Sequence, residues 1–429
     1  MSPKTRRTPA WRAAAGRSGW SRRAALGGAV AATTLAGRSA AGAVAPRPRE
    51  QRFEVLEVGP GRRFASLTLA GCFMNSEQRW ANGYAPAARR AEMGFRIIVS
   101  PGPPGYYTND SGSHSRRWRE LVGWPPFDGE LLGPVIVEGE AGKPAPVLDT
   151  DGYGDGALYY QKGLFNTGDF DATFRRLGFR GFRRRDGAGN YAALRIGEQG
   201  AAGVRPATIT VEDCEISGCD NGIMGSGAGQ RVVLRRCHIH DNGNSSGRVH
   251  NIYVGMAEEL RLEDVLSSRC RIGHLLKTRA KATVVRNCRL LGAAGSESAC
   301  LDAPNAGILD VDGLVCEKSP GSDARWIIHY AGENQDAAGM PFHVRSSLRL
   351  RNLTMIAPDQ MTRLAAAQVY GFANMSGAGA AISGRGSRFI APDARDIWAY
   401  GMSAAAVGLP ANLLARRPVL DLRAPVSLT

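Results

Sequence analysis

The sequence that decides the fold is ITVEDCEI, residues 209–216, in which apolar side chains fill the first, third, sixth and eighth positions. Alternation within each half is typical of a β-strand with one buried face. The two polar residues between the halves break that alternation. They indicate a corner where the chain turns from one face of the molecule to the next.

The same pattern recurs along the chain. Copies begin at Ala172, Ile209, Val232, Leu260, Thr283, Leu309 and Leu348, so successive starts lie 37, 23, 28, 23, 26 and 39 residues apart. A period in the twenties with strand alternation inside each unit indicates a stacked solenoid. Equivalent residues of successive turns of a solenoid lie above one another, so function is sought as a column of side chains.

Each regular turn contains one more predicted strand, at residues 222–225, 251–255, 274–279, 299–303 and 326–330. The connections into these strands, residues 241–249, 292–297 and 318–324, vary in length and are rich in Gly and Ser. Variable loops on one side of a regular body are expected to form the walls of a groove.

The N-terminus has the form of a targeting segment. Arg22 and Arg23 precede a weakly apolar Ala/Gly stretch, and residues 41–43 (AGA) offer a small-residue cleavage site. We expect residues 1–45 to be a twin-arginine signal that directs export through the twin-arginine translocase to the periplasm or the exterior. The stretch is too short and too rich in Gly and Thr to span a membrane well, so no stable span is expected after processing.

The predicted body covers residues 46–390 and contains a short N-terminal helix at 65–70 that could cap the solenoid. An insertion at 103–132 carries Trp118 and Trp124. These aromatic rings could stack on sugar rings, or they could form a small core that holds the long loop. Residues 391–429 are expected to be a C-terminal cap or tail.

The charge balance narrows the class of partner. The formal net charge is +15, and residues 1–45 hold eight Lys or Arg and no acid, which leaves 15 − 8 = +7 for the mature chain. This excess suits a polyanionic partner such as an acidic polysaccharide, or it reflects an arginine-biased solvated surface. No nucleic-acid partner is expected, because the sequence has no recognition module and the protein is predicted to be exported.

The eight cysteines have no zinc-site spacing. Cys214, Cys237 and Cys288 occupy the same inward position of three turns. They could be free core thiols, or Cys214 and Cys237 could form a disulfide in an oxidising compartment.

Several motifs carry a family resemblance. The entry VGPG at residues 58–61, the strand ending in SPG at 100–102 and the repeated coils look like an exported right-handed parallel β-helix of the pectate-lyase-like superfamily. The blocks HNIYVG (250–255), GHLLKTRA (273–280) and CLDAPN (300–305) resemble a branch of uncharacterised right-handed β-helix proteins. The resemblance covers about 53–390 and implies an all-β fold. It also implies acidic polysaccharide substrates, often cleaved by β-elimination, with epimerases, hydrolases and non-catalytic binders as other members.

Aligning the second strands gives one candidate site. With Ile252, Leu276, Leu301 and Ile328 pointing inward, the next residue of each strand points outward. These four residues, which we call the outer column, are Tyr253, Lys277, Asp302 and His329. Arg279 lies two positions beyond Lys277 on the same face. An inward Lys277 or Asp302 would be costly to bury, which favours this alignment.

Lyase chemistry on a uronic acid needs a cation for the carboxylate, a base for the adjacent proton and an acid for the leaving oxygen. Arg279 suits the carboxylate, because its planar fork can bind two oxygens. Lys277 or Tyr253 could be base or acid. Arg279 would lower the pKa of Lys277, which helps a base, whereas Asp302 would raise it, which favours a charged Lys277. His274 and His250 are two further acid–base candidates. His329 and Asn251 are candidates for substrate binding. The alternative for all of them is polar decoration of the surface.

Known subfamily signatures do not extend to this chain. The pattern of calcium-binding pectate lyases and the paired aspartates of polygalacturonases are absent. Asp302, Asp310 or Asp312 could still bind Ca²⁺, because hard oxygen ligands suit that ion. Residues 310–312 are more readily interpreted as an exposed strand edge. VYGF at 369–372 begins like an alginate-epimerase motif, but ANM follows where Asp-Pro-His is expected.

The sequence therefore predicts a β-helix that acts on an acidic polysaccharide, as a lyase. The main alternative is a non-catalytic glycan-binding or envelope-structural protein. A uronate epimerase or a glycoside hydrolase is third, since a hydrolase needs two carboxylates about 5–9.5 Å apart and Asp302 is the one carboxylate predicted on the column.

Overall fold

The computed structural model describes residues 52–67, 69–70, 73, 93–107, 134–149, 163–167, 170–184, 189–197, 206–292, 296–322, 326–331, 343, 345–356, 365–369, 381–385 and 388–390. The chain divides into two units, Met1–Arg49 and Glu50–Thr429. The predicted signal segment, most of the 103–132 insertion and the 391–429 tail lie outside the described residues.

The larger of two parallel sheets contains 17 strands and forms two strips. The first strip consists of β1 (Arg52–Val58), β2 (Met93–Val99), β3 (Val135–Gly139), β6 (Ala172–Arg175), β9 (Ala207–Glu212), β12 (Gln230–Arg235), β15 (Glu259–Glu263), β18 (Ala282–Leu291), β20 (Ile308–Glu317), β22 (Ser347–Ile356) and β24 (Ala381–Arg385). The second strip consists of β4 (Val147–Asp149), β7 (Gly178–Arg180), β10 (Glu215–Ser217), β13 (His238–His240), β16 (Leu266–Ser268), the second halves of β18, β20 and β22, and β25 (Arg388–Ile390).

In the described residues the smaller sheet takes one strand from each of eight successive turns. Its eight strands are β5 (Gly163–Thr167), β8 (Ala192–Ile196), β11 (Asn221–Gly225), β14 (Ile252–Val254), β17 (Leu276–Thr278), β19 (Leu301–Ala303), β21 (Trp326–Tyr330) and β23 (Ala365–Val369). All pairings in both sheets are parallel, and the paired strands come from successive turns, an arrangement consistent with a parallel β solenoid.

The predicted repeat register is confirmed. The seven predicted starts form six successive pairs, from Ala172 with Ile209 through to Leu309 with Leu348. The inward positions of the repeat are almost completely buried and form one continuous hydrophobic core. The alternation of apolar and polar residues within the strands therefore identified the buried face correctly.

The corner between the two strips has a simple backbone cause. The second residue of each two-residue break has a positive φ between 47° and 72° in all seven turns. We call this set the corner row; its members are Arg176, Asp213, Arg236, Asp264, Asn287, Gly313 and Asn352. A single left-handed residue turns the chain sharply without ending the pairing, and Asn, Asp and Gly tolerate that conformation best.

Seven cysteines lie within the described residues, and all seven are free and buried. Cys214, Cys237 and Cys288 fill the predicted inward position as core thiols, and burial is the main cause that raises their pKa values. Such thiols pack as small apolar residues.

The predicted N-terminal helix differs from the structure in extent. Leu67, Leu69, Ala70 and Phe73 have helical backbone, and the Ala70 amide donates to the Ser66 carbonyl. Leu67 and Ala70 pack in the core, but the described residues contain no complete helix. No helix in the described part of the chain has the length and apolar character needed to cross a bilayer.

Candidate functional site

The outer column has the predicted register. Tyr253 of β14 pairs with Lys277 of β17, Lys277 pairs with Asp302 of β19, and Asp302 pairs with His329 of β21. Neighbouring parallel strands are about 4.8 Å apart, so the four residues follow one another along the outer side of the smaller sheet. The alternate residues of these strands, such as Ile252 and Leu276, lie in the core.

The outer column is less exposed than a surface face would be. Lys277 is only 9% exposed and Asp302 only 2%. Tyr253 is also buried, but it forms a small apolar cluster with Ala192 and Met224 that is separate from the main core. The side chains point away from the core, as the alignment predicts, but they are largely covered rather than exposed.

Asp302 is the centre of an ionic cluster. Its Oδ1 lies 2.7 Å from Nδ1 of His329. Its Oδ2 lies 3.1 Å from Nζ of Lys277 and 3.3 Å from Nε2 of His274. Burial alone would raise the pKa of the Asp302 carboxyl, but Lys277, His274 and the hydrogen bond from His329 together hold it well below its ordinary value. The carboxylate is therefore ionised at neutral pH.

Arg279 organises the other end of the cluster. Its Nε donates to the hydroxyl of Tyr253 at 2.9 Å, and its NH1 donates to Oδ1 of Asn305. The guanidinium carbon lies 5.9 Å from the centre of the Tyr253 ring, and Nζ of Lys277 lies 6.0 Å from it. Two cations thus flank one phenol, and Arg279 lies on the same face as Lys277, as predicted.

His250 and His274 belong to this site but differ from their predicted role. Their rings are stacked, 4.9 Å apart and nearly parallel. Nδ1 of His250 accepts from the backbone amide of His274 at 2.9 Å, and Nδ1 of His274 accepts from the backbone amide of Ala299 at 3.0 Å. A neutral imidazole has one acceptor nitrogen. Both acceptors are occupied, so neither ring can take a proton without losing a backbone hydrogen bond.

Burial explains the charge state of these two rings. It is the main cause that lowers the pKa of His274 to about 4, with Lys277 adding to the effect and Asp302 opposing it. Burial also lowers the pKa of His250 well below its ordinary value, helped by His274 and Lys277. Both imidazoles are neutral at pH 7 and hold the rungs together. The prediction that they are acid–base residues is therefore not supported by their surroundings.

Asn251 is misplaced in the sequence-based prediction. It is 0% exposed, and its amide nitrogen donates to the Ile239 and Ser268 carbonyls and to Oγ of Ser267. Its Oδ1 accepts from Asn242. The side chain satisfies backbone groups in the protein interior, so it does not lie on a substrate-binding face. His329 does lie on the column, whereas Trp118 and Trp124 lie outside the described residues.

The carboxylates considered for Ca²⁺ already have cationic partners. Asp310 pairs with Arg286 and Arg351, and Asp312 pairs with Arg351. Both belong to β20, which lies between β18 and β22, so the predicted strand edge is wrong. Among the described residues no group of three His, Cys, Asp or Glu side chains could hold a metal ion. The ammonium and imidazoles around Asp302 also make a poor set of neighbours for a hard cation.

The structure adds residues that the sequence analysis missed. Asn305 holds Arg279, but it lies beyond β19, where no periodic pattern marks it. Met224 and Arg195 extend the outer column by two rungs, because Met224 pairs with Tyr253 and with Arg195. The strand of Met224 was predicted, so extending the alignment by one turn would have found it.

The chain matches no protein-family model, no curated protein and no solved structure. Its function is therefore inferred from the geometry and charges of the outer column and the residues that contact it.

Proposed function

We propose that the protein is an exported right-handed parallel β-helix, similar to the pectate-lyase-like superfamily, that cleaves an acidic polysaccharide by β-elimination. The observation that carries the proposal is the run of Tyr253, Lys277, Asp302 and His329 on consecutive rungs of one face, with Arg279 beside it. The two long parallel sheets support the β-helix part, and the Arg22-Arg23 segment supports export.

The charges of the site favour an anionic substrate. Lys277 and Arg279 contribute two positive charges, while Asp302 is the one carboxylate on the column within the described residues. Because the imidazoles of His250 and His274 are neutral, the cluster keeps an excess of positive charge. A partly desolvated cationic site suits a uronate carboxylate better than a neutral sugar.

Two of the three catalytic requirements are met by named side chains. Arg279 is assigned to the substrate carboxylate, since charge neutralisation there makes the adjacent C–H acidic. Lys277 lies 3.1 Å from an ionised carboxylate, which keeps it as an ammonium. That charge state favours the role of proton donor to the leaving oxygen over the role of base. Tyr253 positions Arg279 and offers a ring face to the sugar.

The test is product formation from a panel of uronate polymers. The full chain is incubated with each polymer, and new UV absorbance reports the unsaturated sugar. Lys277→Ala should abolish the signal, whereas Lys281→Ala should not. Lys281 is an exposed lysine of the same turn whose partner is Glu258 rather than Asp302. Unchanged turnover by Lys277→Ala would exclude the proposed site, and silence of the wild-type protein on every polymer would exclude lyase activity.

A non-catalytic glycan-binding protein is the second candidate. It is favoured by one observation: Lys277, Arg279 and Asp302 are buried and engage one another or their neighbours. Networks of this kind also occur as structural cross-links between rungs. Retarded migration of the protein in gels that contain a uronate polymer, without any product, would favour this candidate over the lyase.

A hydrolase is less well supported than either. Among the residues aligned with the outer column by strand pairing, from Arg195 to Gln368, Asp302 is the only carboxylate. A pair of carboxylates on either side of a glycosidic bond is needed for that reaction.

A further inference from the structure

We propose that Nε2 of His329 is the proton acceptor of the site and that Asp302 is the residue that positions it. This inference rests on the proposed lyase function, because it supplies the base that the reaction needs. The sequence had suggested His329 only as a substrate-binding residue.

The first argument is the tautomer of His329. The Asp302 carboxylate is ionised, so its oxygens can only accept hydrogen bonds. Nδ1 of His329 lies 2.7 Å from Oδ1 of Asp302 and must therefore be the donor. In a neutral imidazole the proton on Nδ1 leaves Nε2 as the basic nitrogen. A carboxylate that holds Nδ1–H in this way also stabilises the imidazolium that forms when Nε2 takes a proton.

The second argument comes from the other two imidazoles of the site. Nδ1 of His250 and Nδ1 of His274 each accept a backbone amide proton. Their protons are therefore on Nε2, the opposite tautomer to that of His329. Of these three rings, His329 is the one whose carboxylate contact assigns the basic nitrogen to Nε2.

The third argument is the rigidity of the Asp302 carboxylate. Register fixes its backbone between Lys277 and His329. Lys277 and His274, from the turn before, hold its second oxygen. β21, the strand of His329, pairs with β23 on the side away from Asp302, and Gln368 is the residue of β23 that lies beside His329. Among the described residues, the charged or titratable groups at His329 are Asp302, which it contacts directly, and Lys277 and His274, which contact the same carboxylate.

The arrangement gives a balanced elimination. Nε2 of His329 takes the proton from the carbon beside the uronate carboxylate, whose charge Arg279 neutralises. The electron pair of that C–H bond forms the carbon–carbon double bond, and the C–O bond to the leaving sugar breaks. Lys277 gives a proton to the leaving oxygen. Transfer of the proton from the imidazolium to water, and of a proton from water to the amine, restores both residues.

The variant His329→Gln tests the inference by turnover. General base catalysis contributes about 10²–10⁴-fold, so we expect His329→Gln to lose turnover on that order. His329→Gly should regain part of it when imidazole is added, which a merely structural residue would not show. His238→Gln, a control on β13 of the larger sheet, should keep wild-type turnover. Undiminished turnover by His329→Gln would overturn the inference and leave the lyase proposal standing.

A second measurement does not depend on activity. Nitrogen NMR of labelled imidazoles, assigned by comparison with His329→Gln, should show that the neutral form of the His329 ring is protonated at Nδ1 and unprotonated at Nε2. A neutral ring with its proton on Nε2 would overturn the inference whatever the turnover. If the wild-type protein cleaves no polymer, the lyase proposal fails, and this spectrum still decides whether His329 is the proton acceptor of the cluster.

Discussion

At the scale of single residues, the buried ion pair between Asp302 and Lys277 is the feature of the site that bears most directly on protein stability. A buried ion pair gains Coulomb energy only by losing hydration, so its net contribution to stability is small. Removing one partner is costly, because the remaining charge stays buried. The surroundings of Asp302 therefore make two measurable predictions about stability, one for a substitution and one for pH.

Lys277→Met should destabilise the protein by about 3 kcal/mol, because it leaves the Asp302 carboxylate buried without its ammonium partner. Unfolding in guanidinium chloride at neutral pH measures the change. The double variant Lys277→Met/Asp302→Asn should recover part of the loss. Lys281 forms an exposed ion pair with Glu258. Lys281→Met should therefore change the free energy of unfolding by less than about 0.5 kcal/mol. Equal losses for the two lysines would contradict the prediction.

Stability should fall as pH decreases from about 6.5 towards 4. The pKa of His274 is lowered to about 4 and that of His250 is also lowered, whereas unfolded histidines titrate near 6.5. Between these two pH values the unfolded chain binds more protons than the folded chain. The contribution of each histidine to the free energy of unfolding is therefore complete above the unfolded pKa and is lost as the pH falls. The slope per histidine is at most about 1.4 kcal/mol per pH unit. His274→Gln should flatten the profile, and an unfolding free energy that rose on acidification would disprove this account.

At the scale of the structural element, the corner row explains how one sheet bends into two strips. Six of its seven residues are not glycine, yet each has a φ near +50°. For an L-residue this region costs roughly 1–2 kcal/mol, less for Asn and Asp. The corner therefore depends on pairing from both neighbouring turns to hold a conformation that the isolated chain would avoid.

Two substitutions at equivalent corners should differ in their effect on stability. Gly313→Val should destabilise by about 2 kcal/mol, because a β-branched residue is strained at φ +72° and its Cβ would lie 2.7 Å from Oδ1 of Asn287. Asp264→Gly should be neutral or slightly stabilising, since it relieves a φ of 55°. Thermal unfolding of the two variants gives the comparison. Matching melting temperatures would show that the corner tolerates any side chain.

The outer face of the first strip contains a second element-scale feature, a row of alternating charges. Register aligns Glu138, Arg175, Glu212, Arg235, Glu263, Arg286, Asp312 and Arg351 on consecutive rungs. Nε of Arg235 lies 2.8 Å from Oε2 of Glu263. If a strand paired with the strand two turns away instead of with its neighbour, like charges would lie opposite each other. The row therefore favours the native pairing of the strands.

Glu263→Lys should destabilise the protein by about 1 kcal/mol at low salt, because the new lysine would lie between Arg235 and Arg286. The loss should shrink as the salt concentration rises. Thr210→Lys, a control between Thr173 and Val233 on the same face, should cost less. Chemical unfolding at two salt concentrations distinguishes the cases, and a salt-independent loss would argue against a charge effect.

At the scale of the whole molecule, each turn contacts mainly the turns before and after it. Stability is then approximately a sum of turn and interface terms. A turn can in principle be removed if the turns on either side present matching inward faces. The repeats beginning at Ile209 and Val232 meet that condition, because both pair in register with their neighbours.

Excision of residues 209–231, a span of 23 residues, should leave a cooperatively folding protein that retains the outer column from Tyr253 to His329. The deletion joins Thr208 to Val232, which takes the position of Ile209. Circular dichroism and thermal unfolding report the outcome. Excision of residues 209–220 breaks the register and should give aggregation. Equal behaviour of the two deletions would mean that turns are not interchangeable units.

The sequence predicted most strands because their signal is local. The alternation in residues 209–216 and its copies defined the buried face, and aligning Ile252 with Leu276 and Leu301 gave the order Tyr253, Lys277, Asp302 along one face. The prediction failed for side chains whose neighbours come from loops or from corners. Asn251 is an internal cross-link, and Asn305 holds Arg279 from a turn without periodicity.

The sequence by itself determined the period of the turns, the inward face of each strand and the rung order of the outer column, because these depend on spacing along the chain. Only the tertiary structure decided the hydrogen-bond partners, burial and charge states of the site residues. Hydrogen bonds from residues some 25 positions away assigned the basic nitrogen of His329 to Nε2 and occupied the acceptor nitrogens of His250 and His274. Asp302 stays ionised in spite of its burial because Lys277 and two imidazoles surround it. Protonation depends on distances in space, and spacing along the chain does not specify those distances.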